Sequence, residues 1–306
     1  MRKVCLLSAV VVMFCMCAGL AGEKRYKMAL VCKAMDSEFW TDMRKGAADA
    51  AAKLGNVDVV VLAPDREVNV QQQVQIMDDL TVQGVDGIAI APCGANELIP
   101  VMQGATDAGI PVILVDTDAA WDNKIAFAGT NNRKGGQQAA ERIAKLLDGK
   151  GSVAIITGIM GHQSHIDRVA GAMDVFKNYP GIKIVSQQPA NGERSLGMTV
   201  MENILTANPD LDALFSTNAT MGLGAYEAMK AAGAKCIIVG FDSDSEMLGL
   251  IRDGEIDSLV AQGAYDMGRI GIESLYRHIQ GEKLPRLIDV PSELVTRENV
   301  DKHLKR

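Results

Sequence analysis

The sequence predicts an α/β protein made of two lobes, each a doubly wound parallel sheet covered by helices. Residues 109–118 hold a continuous apolar run with glycine and proline before it and polar residues after it, which is typical of a strand buried on both faces. Strand and helix patterns alternate along the chain, which implies right-handed crossovers between parallel strands. The chain of 306 residues also exceeds the usual size of one domain, so two hydrophobic cores are expected.

The first half of the chain shows this alternation in order. Short apolar runs predict strands, and helical periodicity that stops at Gly55 or Gly84 predicts helices, because glycine readily adopts the left-handed conformation that ends a helix. The predicted strands are 28–32, 57–63, 87–91 and 109–118, and residues 125–129 begin a crossing to the second half. The predicted helices run from the loop 33–40 to 54, over 70–83 and 96–108, and from the loop 130–136 to 147.

The second half repeats the layout, although no sequence repeat is legible. The predicted strands are 152–157, 182–187, 213–216, 236–241 and 256–261, followed by two short extended pieces within 287–295. The predicted helices are 166–178, 195–207, 221–232, 245–253 and 267–279. The two halves therefore predict two lobes of the same kind.

The N-terminus has the pattern of a secretory signal peptide. Arg2 and Lys3 precede an apolar stretch, and Gly19 and Ala21 give the small-x-small ending that signal peptidases cleave. We therefore expect residues 1–21 to be removed and the mature chain to be exported. A retained membrane anchor is the alternative, since the apolar stretch is nearly long enough to span a bilayer. A lipid anchor is less favoured, because bulky residues precede the candidate cysteines.

Charge and cysteine content narrow the classes of partner. The formal net charge of −7 argues against nucleic acid, which would require a basic face. Cys32, Cys93 and Cys236 are an odd set, and each lies in apolar, strand-like sequence. This pattern predicts small buried hydrophobic residues rather than disulfides or metal ligands.

Polar residues follow the central apolar strand at its carboxyl end. They are Asp116, Thr117 and Asp118. Open α/β sheets bind ligands in the crevice outside the carboxyl ends of their strands. We therefore expect the binding residues at this edge, in a ligand cleft between the two lobes.

Seven segments together share the pattern of one known family. They are 33–40, 109–118, 158–171 (Gly-Ile-Met-Gly-His-Gln-Ser-His-Ile-Asp-Arg-Val-Ala-Gly), 186–190, 215–218 with Gly222 and Gly224, 239–243 and 260–262. Over its entire mature length the chain resembles the ribose, allose and galactose type of periplasmic binding protein, the solute receptors of ABC sugar importers.

The resemblance implies two lobes joined by three chain crossings, whose loops close on one monosaccharide or related polyol. It implies capture and delivery without catalysis, so we expect a periplasmic, monomeric protein with no cofactor that acts with ABC permease subunits. The expected N-terminal lobe is 22–130 with 263–291, and the C-terminal lobe is 131–262 with 292–306. The alternative is a receptor of the same fold that senses a signal sugar, an inositol or a polyol and acts through a membrane sensor kinase or chemoreceptor.

The resemblance assigns four sugar contacts to the N-terminal lobe. Asp116 matches an aspartate that accepts hydrogen bonds from two sugar hydroxyls. A charged acceptor makes a stronger hydrogen bond than a neutral one. Lys33 matches a lysine of allose-type proteins, with a solvated loop lysine as the alternative. Phe39 and Trp40 would stack on the apolar faces of the sugar, although either could simply fix its helix to the core.

Four further contacts are expected from the C-terminal lobe. Arg168 matches the family's second-lobe arginine, with a surface salt bridge as the alternative. Asn218 and Asp242 each follow a strand and precede a helix, so helix capping is an alternative for both. Gln262 ends the strand that enters the last crossing, where the family places a glutamine on the sugar.

Three positions depart from the family pattern. Thr117 and Asp118 stand where an arginine is usual, which removes a bidentate donor and adds negative charge. Gly192 stands where ribose-type proteins often have an aromatic lid. The replacement of the arginine puts ribose and galactose themselves in doubt. The loss of the ring at position 192 suggests a larger ligand, a polar one, or weaker stacking.

Rival classes lack their expected motifs. A nicotinamide-dependent enzyme would have a glycine-rich turn after its first strand, and residues 33–40 contain no glycine. A serine hydrolase would have a Gly-x-Ser-x-Gly elbow, which is absent from the sequence. A sugar-dependent repressor would have a DNA-binding headpiece where this chain has an export signal. His162 and His165 could suggest a metal, but no motif with ligand spacing accompanies them, so we expect none.

Overall fold

The structure, a computed structural model, describes residues 24–304. The predicted signal peptide, residues 1–21, lies outside the described residues. Among the residues described, no helix is long and apolar enough to cross a membrane.

Within the described range the chain forms twelve strands. In chain order they are β1 (Tyr26–Val31), β2 (Val57–Leu62), β3 (Gly87–Ile90), β4 (Val112–Val115), β5 (Phe127–Gly129), β6 (Lys150–Thr157), β7 (Gly181–Pro189), β8 (Ala213–Ser216), β9 (Ile237–Phe241), β10 (Ser258–Ala261), β11 (Leu287–Asp289) and β12 (Glu293–Thr296). The helices between them are α1 (Glu38–Leu54), α2 (Val70–Gln83), α3 (Ile99–Asp107), α4 (Asn132–Leu146), α5 (Gln163–Phe176), α6 (Arg194–Ala207), α7 (Ala219–Ala231), α8 (Ser245–Asp253), α9 (Ala264–Ile279) and α10 (Asp301–Leu304).

The strands form two mainly parallel sheets, one in each lobe as predicted, and the sheets have six strands each and nearly identical topology. The first lobe contains the sheet β11-β5-β4-β3-β1-β2, and the second lobe contains the sheet β12-β10-β9-β8-β6-β7. Every neighbouring pair is parallel except β10 and β12, which are antiparallel. The second order repeats the first with each of β1–β5 replaced by the strand five places later.

Each sheet has an apolar core on both faces. Along β1, Met28 and Leu30 face one cluster, whereas Ala29 and Val31 face another, and all four are fully buried. The second sheet likewise separates two clusters. This arrangement explains why the central strands are continuous apolar runs: helices cover both faces, so neither side of the strand meets water.

Three chain crossings connect the sheets, between β5 and β6, β10 and β11, and β11 and β12. The crossings lie side by side, and a Cβ atom at Gly263 in the second crossing would lie 2.6 Å from Val290 Cγ1 in the third. The Thr130 hydroxyl donates to the carbonyl oxygen of Val290 at 3.2 Å, and the Val290 amide donates to the carbonyl oxygen of Gly129 at 3.0 Å. The sheets are therefore joined at one compact place, which is the geometry of a hinge.

Some boundaries differ from the predictions. The central strand β4 covers only Val112–Val115, because the residues on either side form the turns into and out of it. Helix α3 begins at Ile99 rather than 96, and α5 begins at Gln163 rather than 166. Neither helix has a side-chain hydrogen bond at its N-cap, so the sequence offered no capping signal for its start.

Glycines set the closest helix contacts. A Cβ atom at Gly268 of α9 would lie 1.9 Å from the carbonyl oxygen of Met43 in α1, and one at Gly46 of α1 would lie 1.9 Å from that of Tyr265. Helices α4 and α5 are equally close. A Cβ atom at Gly136 of α4 would lie 1.9 Å from a backbone oxygen of α5, and one at Gly171 of α5 would lie 2.0 Å from a backbone oxygen of α4. At these crossings the backbones approach so closely that no side chain fits between them.

We predict that Gly268→Ala lowers the free energy of unfolding by at least about 1–3 kcal/mol, the usual cost of overpacking. Gly104→Ala is the matched control, because Gly104 lies within α3 and a Cβ there would meet nothing within 4 Å. The control should be neutral or stabilising by up to about 1 kcal/mol, since alanine is the better helix former. Urea unfolding of both variants measures the difference, and a Gly268→Ala protein as stable as the wild type would contradict this packing.

Candidate ligand-binding site

The carboxyl ends of both sheets face one cavity of about 690 Å³, counted with its mouth. All eight residues predicted from the sequence line it. The first lobe contributes Lys33, Phe39, Trp40 and Asp116, and the second lobe contributes Arg168, Asn218, Asp242 and Gln262.

Two aspartates occupy equivalent positions in the two lobes. Asp116 directly follows β4, and Asp242 directly follows β9, which is the matching strand of the second sheet. Both have left-handed backbones, with φ of 60° and 70°. Non-glycine residues in this conformation are uncommon and cluster at functional sites, where surrounding structure holds them in place.

Lys33 and Asp116 form a buried ion pair. Lys33 Nζ lies 2.9 Å from Asp116 Oδ2, and both residues are 3 % exposed, so Lys33 is not a solvated loop lysine. Burial alone would lower the pKa of Lys33, but the carboxylates of Asp116 and Glu67 outweigh it and raise the pKa. Burial would raise the pKa of Asp116, but Lys33 and Arg168 together lower it. Both groups are therefore charged at neutral pH.

Arg168 is a buried cation of the second lobe rather than part of a surface salt bridge. Its Nε donates to Asn132 Oδ1 at 2.8 Å, and its Nη1 donates to the Thr217 carbonyl oxygen at 2.7 Å. Its guanidinium also lies 3.8 Å from the centre of the Phe241 ring. Burial lowers the pKa of Arg168, while Asp242 and Asp116 act in the opposite direction. These contacts fix the guanidinium and leave Nη2 without a hydrogen bond to the described protein.

Asn218 both caps a helix and lines the cavity. Its Oδ1 accepts from the Met221 amide at 3.0 Å at the start of α7, which leaves the Nδ2 donor for the cavity. Capping and lining therefore use different atoms of the same side chain.

Asp242 is held by Gln262, whose Nε2 donates to Asp242 Oδ1 at 2.6 Å. Its carboxylate does not cap α8, where the N-cap residue is Asp244. Burial raises the pKa of Asp242, partly offset by Arg168 and by this hydrogen bond. Gln262 Oε1 is buried and has no hydrogen-bond partner among residues 24–304, so it is an acceptor available to a ligand.

The two aromatic residues combine both roles considered from the sequence. The rings of Phe39 and Trp40 pack edge to face with centroids 4.9 Å apart, at the start of α1. Trp40 is 4 % exposed and belongs to the first lobe's core, and Phe39 packs against that core. Both nevertheless line the cavity and give it an apolar wall.

Contacts at the rim join the two lobes directly. The amide of Ser245 donates to Glu38 Oε2 at 2.7 Å, and the Ser245 hydroxyl also donates to the Glu38 carboxylate. Arg66 forms an ion pair with Glu193 on the opposite lobe. The structure therefore shows the lobes in contact across the mouth of the cleft.

Glu67 and Asp244 also line the cavity, and sequence reasoning did not identify them. Burial raises the pKa of Glu67 to about 7, which Lys33 opposes and Asp116 reinforces. Burial also raises the pKa of Asp244 to about 7, reinforced by Asp242 and Glu38. Both follow a predicted strand at its carboxyl end, which was the available signal.

His162 and His165 lie beside Glu67, with one ligand atom of each residue within 4.8 Å of the others. Burial, reinforced by Lys33, lowers the pKa of His162 to about 3. Burial and then Arg168 lower the pKa of His165 well below its usual value. Sequence spacing could not reveal the nearby carboxylate. Burial is the main reason that both imidazoles are neutral, and the Lys33 ammonium, which acts on both, also disfavours a metal ion there.

The three departures from the family pattern have structural explanations. The Thr117 hydroxyl donates to Asp116 Oδ2 at 2.8 Å, so this residue orients the aspartate. Asp118 pairs with Lys124 at 2.6 Å and does not line the cavity, contrary to the negative charge expected from it there. Gly192 has a left-handed φ of 76°, and a Cβ there would lie 3.6 Å from Glu67 Oε2.

Two sheets of matching topology, joined by three crossings and enclosing a polar cavity at their carboxyl edges, define a two-lobed binding protein. The chain belongs to the family described as "Periplasmic binding protein domain", whose model matches residues 28–283. This is a family of binding proteins rather than enzymes, as the sequence predicted.

Known relatives share the fold over nearly the whole chain. The D-allose-binding periplasmic protein of Escherichia coli is 33% identical, and the match covers 85% of this chain and 86% of that protein. An ABC transporter solute-binding protein of Agrobacterium vitis, solved with D-fucose, has a TM-score of 0.88 at 29% identity and covers 91% of this chain and 98% of its own. One of Bacillus halodurans, solved with myo-inositol, has a TM-score of 0.86 at 29% identity, with coverages of 93% and 99%.

The raised pKa of Asp244 predicts a pH-dependent loss of stability without ligand. Between pH ~4, where an unfolded aspartate ionises, and about 7, where the folded one does, the folded protein holds an extra proton. The free energy of unfolding therefore falls as the pH rises through this window, and the full penalty remains above it. Asp244→Asn removes the cost of ionising this buried carboxylate. The melting temperature of the variant should therefore exceed that of the wild type by about 3 °C or more at pH 8, and by little at pH 4.

The two proteins must be compared at each pH, because the buried neutral histidines act in the opposite direction. Their lowered pKa values favour the folded state above the usual histidine pKa and are a cost as the pH falls. Differential scanning calorimetry from pH 4 to 8 measures the difference between wild type and variant. A difference that is constant across this range would show that Asp244 is not a strained carboxylate.

Proposed function

We propose that this protein is exported and captures a monosaccharide or related polyol by hinge closure, then delivers it to an ABC transporter. The observation that carries the proposal is the convergence of four residues from each lobe on one enclosed polar cavity. In this proposal residues 1–21 are a signal peptide that is removed, and the mature protein acts in the periplasm as a monomer. The relatives solved with D-fucose and with myo-inositol support this class of ligand.

The chemistry of the cavity suits a hydroxyl-rich ring. Sugar hydroxyls both donate and accept, and the site offers acceptors at Asp116, Asp242 and Gln262 and donors at Arg168 and Asn218. The orphaned Gln262 Oε1 would gain a partner, and a buried polar atom without one is costly. The Phe39 and Trp40 rings would cover an apolar face of the ligand.

The positions of the contacts support hinge closure. In the proposed division, the N-terminal lobe moves against the C-terminal lobe about the three adjacent crossings. The N-terminal lobe is 22–130 with 263–291, and the C-terminal lobe is 131–262 with 292–306. A ligand can shift such an equilibrium only by binding the closed state more tightly, and residues from both lobes provide that preference. The closed form, with Glu38 against Ser245 and Arg66 against Glu193, would be the surface that permease subunits recognise.

We predict that Asp116→Asn weakens binding of the best monosaccharide or polyol at least tenfold, because a charged acceptor contributes about 1.5–3 kcal/mol. Asparagine keeps the size of the side chain and tolerates the left-handed backbone. A thermal-shift screen of the wild type identifies the ligand, and calorimetric titration then compares the variants.

The matched control is Asp118→Asn. Asp118 is two residues away, but its carboxylate pairs with Lys124 outside the cavity. The Asp118→Asn variant should bind the ligand as tightly as the wild type does. If Asp116→Asn binds as tightly as the wild type, the proposed site is contradicted. If no monosaccharide or polyol shifts the melting temperature, the proposed function is contradicted.

A further inference from the structure

We propose that the preferred ligand is a sugar or polyol carrying a protonated amino group, whose ammonium is held by Asp244 within a carboxylate-rich cleft. The inference rests on the proposed function and narrows its ligand class. It is carried by the balance of charges around the cavity and by one buried carboxylate that has no partner.

Carboxylates outnumber cations around the cavity. The lining includes the six carboxylates of Asp36, Glu67, Asp116, Glu193, Asp242 and Asp244. Among the described residues the lining includes only three cations, Lys33, Arg66 and Arg168, and His165 is neutral. With every carboxylate ionised, the described lining would therefore carry a charge of −3 (three cations less six anions). A neutral sugar leaves this excess unchanged.

The three cations are already committed. Lys33 is paired with Asp116 at 2.9 Å, and Arg66 is paired with Glu193. Arg168 is fixed by hydrogen bonds to Asn132 and the Thr217 carbonyl. Its positive charge lowers the pKa of Asp242, against the rise that burial causes. Three carboxylates then remain without a cation of their own, at Asp36, Glu67 and Asp244.

Asp244 is the most isolated of the three. Asp36 is exposed at the mouth, and Glu67 lies near Lys33 and 3.8 Å from the neutral ring of His162. Asp244 is only 9 % exposed, and its carboxylate has no hydrogen bond or ion pair with any described residue. The charges that act on it come from the carboxylates of Asp242, Glu38, Asp42 and Glu246.

An ammonium group on the ligand would relieve this arrangement. A buried carboxylate surrounded by other carboxylates is costly to ionise, and a cation in contact with it removes most of that cost. The amino group would gain a charge-assisted hydrogen bond, which is stronger than one between neutral groups. The remaining amide and guanidinium donors still suit hydroxyls, so the ligand combines one amine with several hydroxyls.

A divalent metal is the competing explanation for the negative charge. Glu67, His162 and His165 could supply three ligand atoms, but Asp244 is not part of that group. The buried Lys33 ammonium acts on both histidines and on Glu67. Binding of a ligand ammonium at Asp244 can therefore be distinguished from binding of a metal ion at the histidines. The titrations include EDTA so that no metal ion is bound.

The test is calorimetric titration at pH 6.5 in EDTA with matched pairs that differ only in the amino group. The pairs are D-glucose with D-glucosamine, D-galactose with D-galactosamine, D-mannose with D-mannosamine, and myo-inositol with an aminodeoxyinositol. We expect the amine of at least one pair to bind at least tenfold more tightly than its neutral parent. The N-acetylated amine, which has no charge, should lose this advantage.

Asp244→Asn should reduce the ratio of the two affinities to below threefold. The matched control is Asp253→Asn, at the end of α8, where the carboxylate pairs with Arg252 away from the cavity. The control should keep the wild-type ratio. Circular dichroism and the melting temperature establish that both variants are folded.

The outcomes separate this inference from the proposed function. If neutral sugars or inositol bind and their amines bind no more tightly, the inference is overturned while the proposed function stands. An amine preference that survives in Asp244→Asn, or one that exists only when EDTA is omitted and a metal is present, also overturns it. If no amine binds but another monosaccharide or polyol in the thermal-shift screen does, the inference is overturned and the proposed function stands. If no compound in the titrations or in the screen binds, both fail.

Discussion

The burial of opposite charges between the lobes is the constraint on which the site depends. Lys33 and Asp116 on one lobe, and Arg168 and Asp242 on the other, are all nine-tenths or more buried. Removing ions from water costs several kcal/mol each, and a hydrophobic pair of similar volume is often as stable. These charges are therefore poorly explained by stability alone. Their arrangement around a cavity suits a polar ligand that completes their hydrogen bonds.

The duplicated topology explains how such a site arises. Because β4 and β9 have matching positions in the two sheets, the residues that follow them, Asp116 and Asp242, both line the cavity. The other lining residues likewise follow strands or begin helices at the carboxyl edges, as open α/β sheets place their ligands. Close glycine-mediated packing of α1 on α9 and of α4 on α5 holds the helices that position Trp40 and Arg168.

Much of the fold was predictable from the sequence because its strands are buried on both faces. Uniformly apolar runs such as β4, separated by helical patterns ending at Gly55 and Gly84, predict parallel sheets without further information. The order of the strands was not predicted, since it depends on which apolar edges meet in three dimensions. The antiparallel pairing of β12 with β10 was hidden for the same reason.

The site was predicted in part. The resemblance to sugar-binding proteins identified eight residues, and all eight line the cavity. It could not show that Lys33 pairs with Asp116 or that Asp118 turns away to Lys124, because both depend on side-chain direction in loops. Glu67 and Asp244 were missed because a single acidic residue in a loop has no pattern until burial distinguishes it.

The central claim is that one small polar ligand contacts both lobes at the carboxyl edges of their sheets. Hydrogen–deuterium exchange with mass spectrometry, with and without the best-binding compound, tests it most directly, because it reports each lobe separately. The account predicts slower exchange at 33–40 and 116–118 on one lobe and at 217–220 and 242–245 on the other, with no change at the opposite edges of the sheets. Protection confined to one lobe, or located away from these loops, would contradict it.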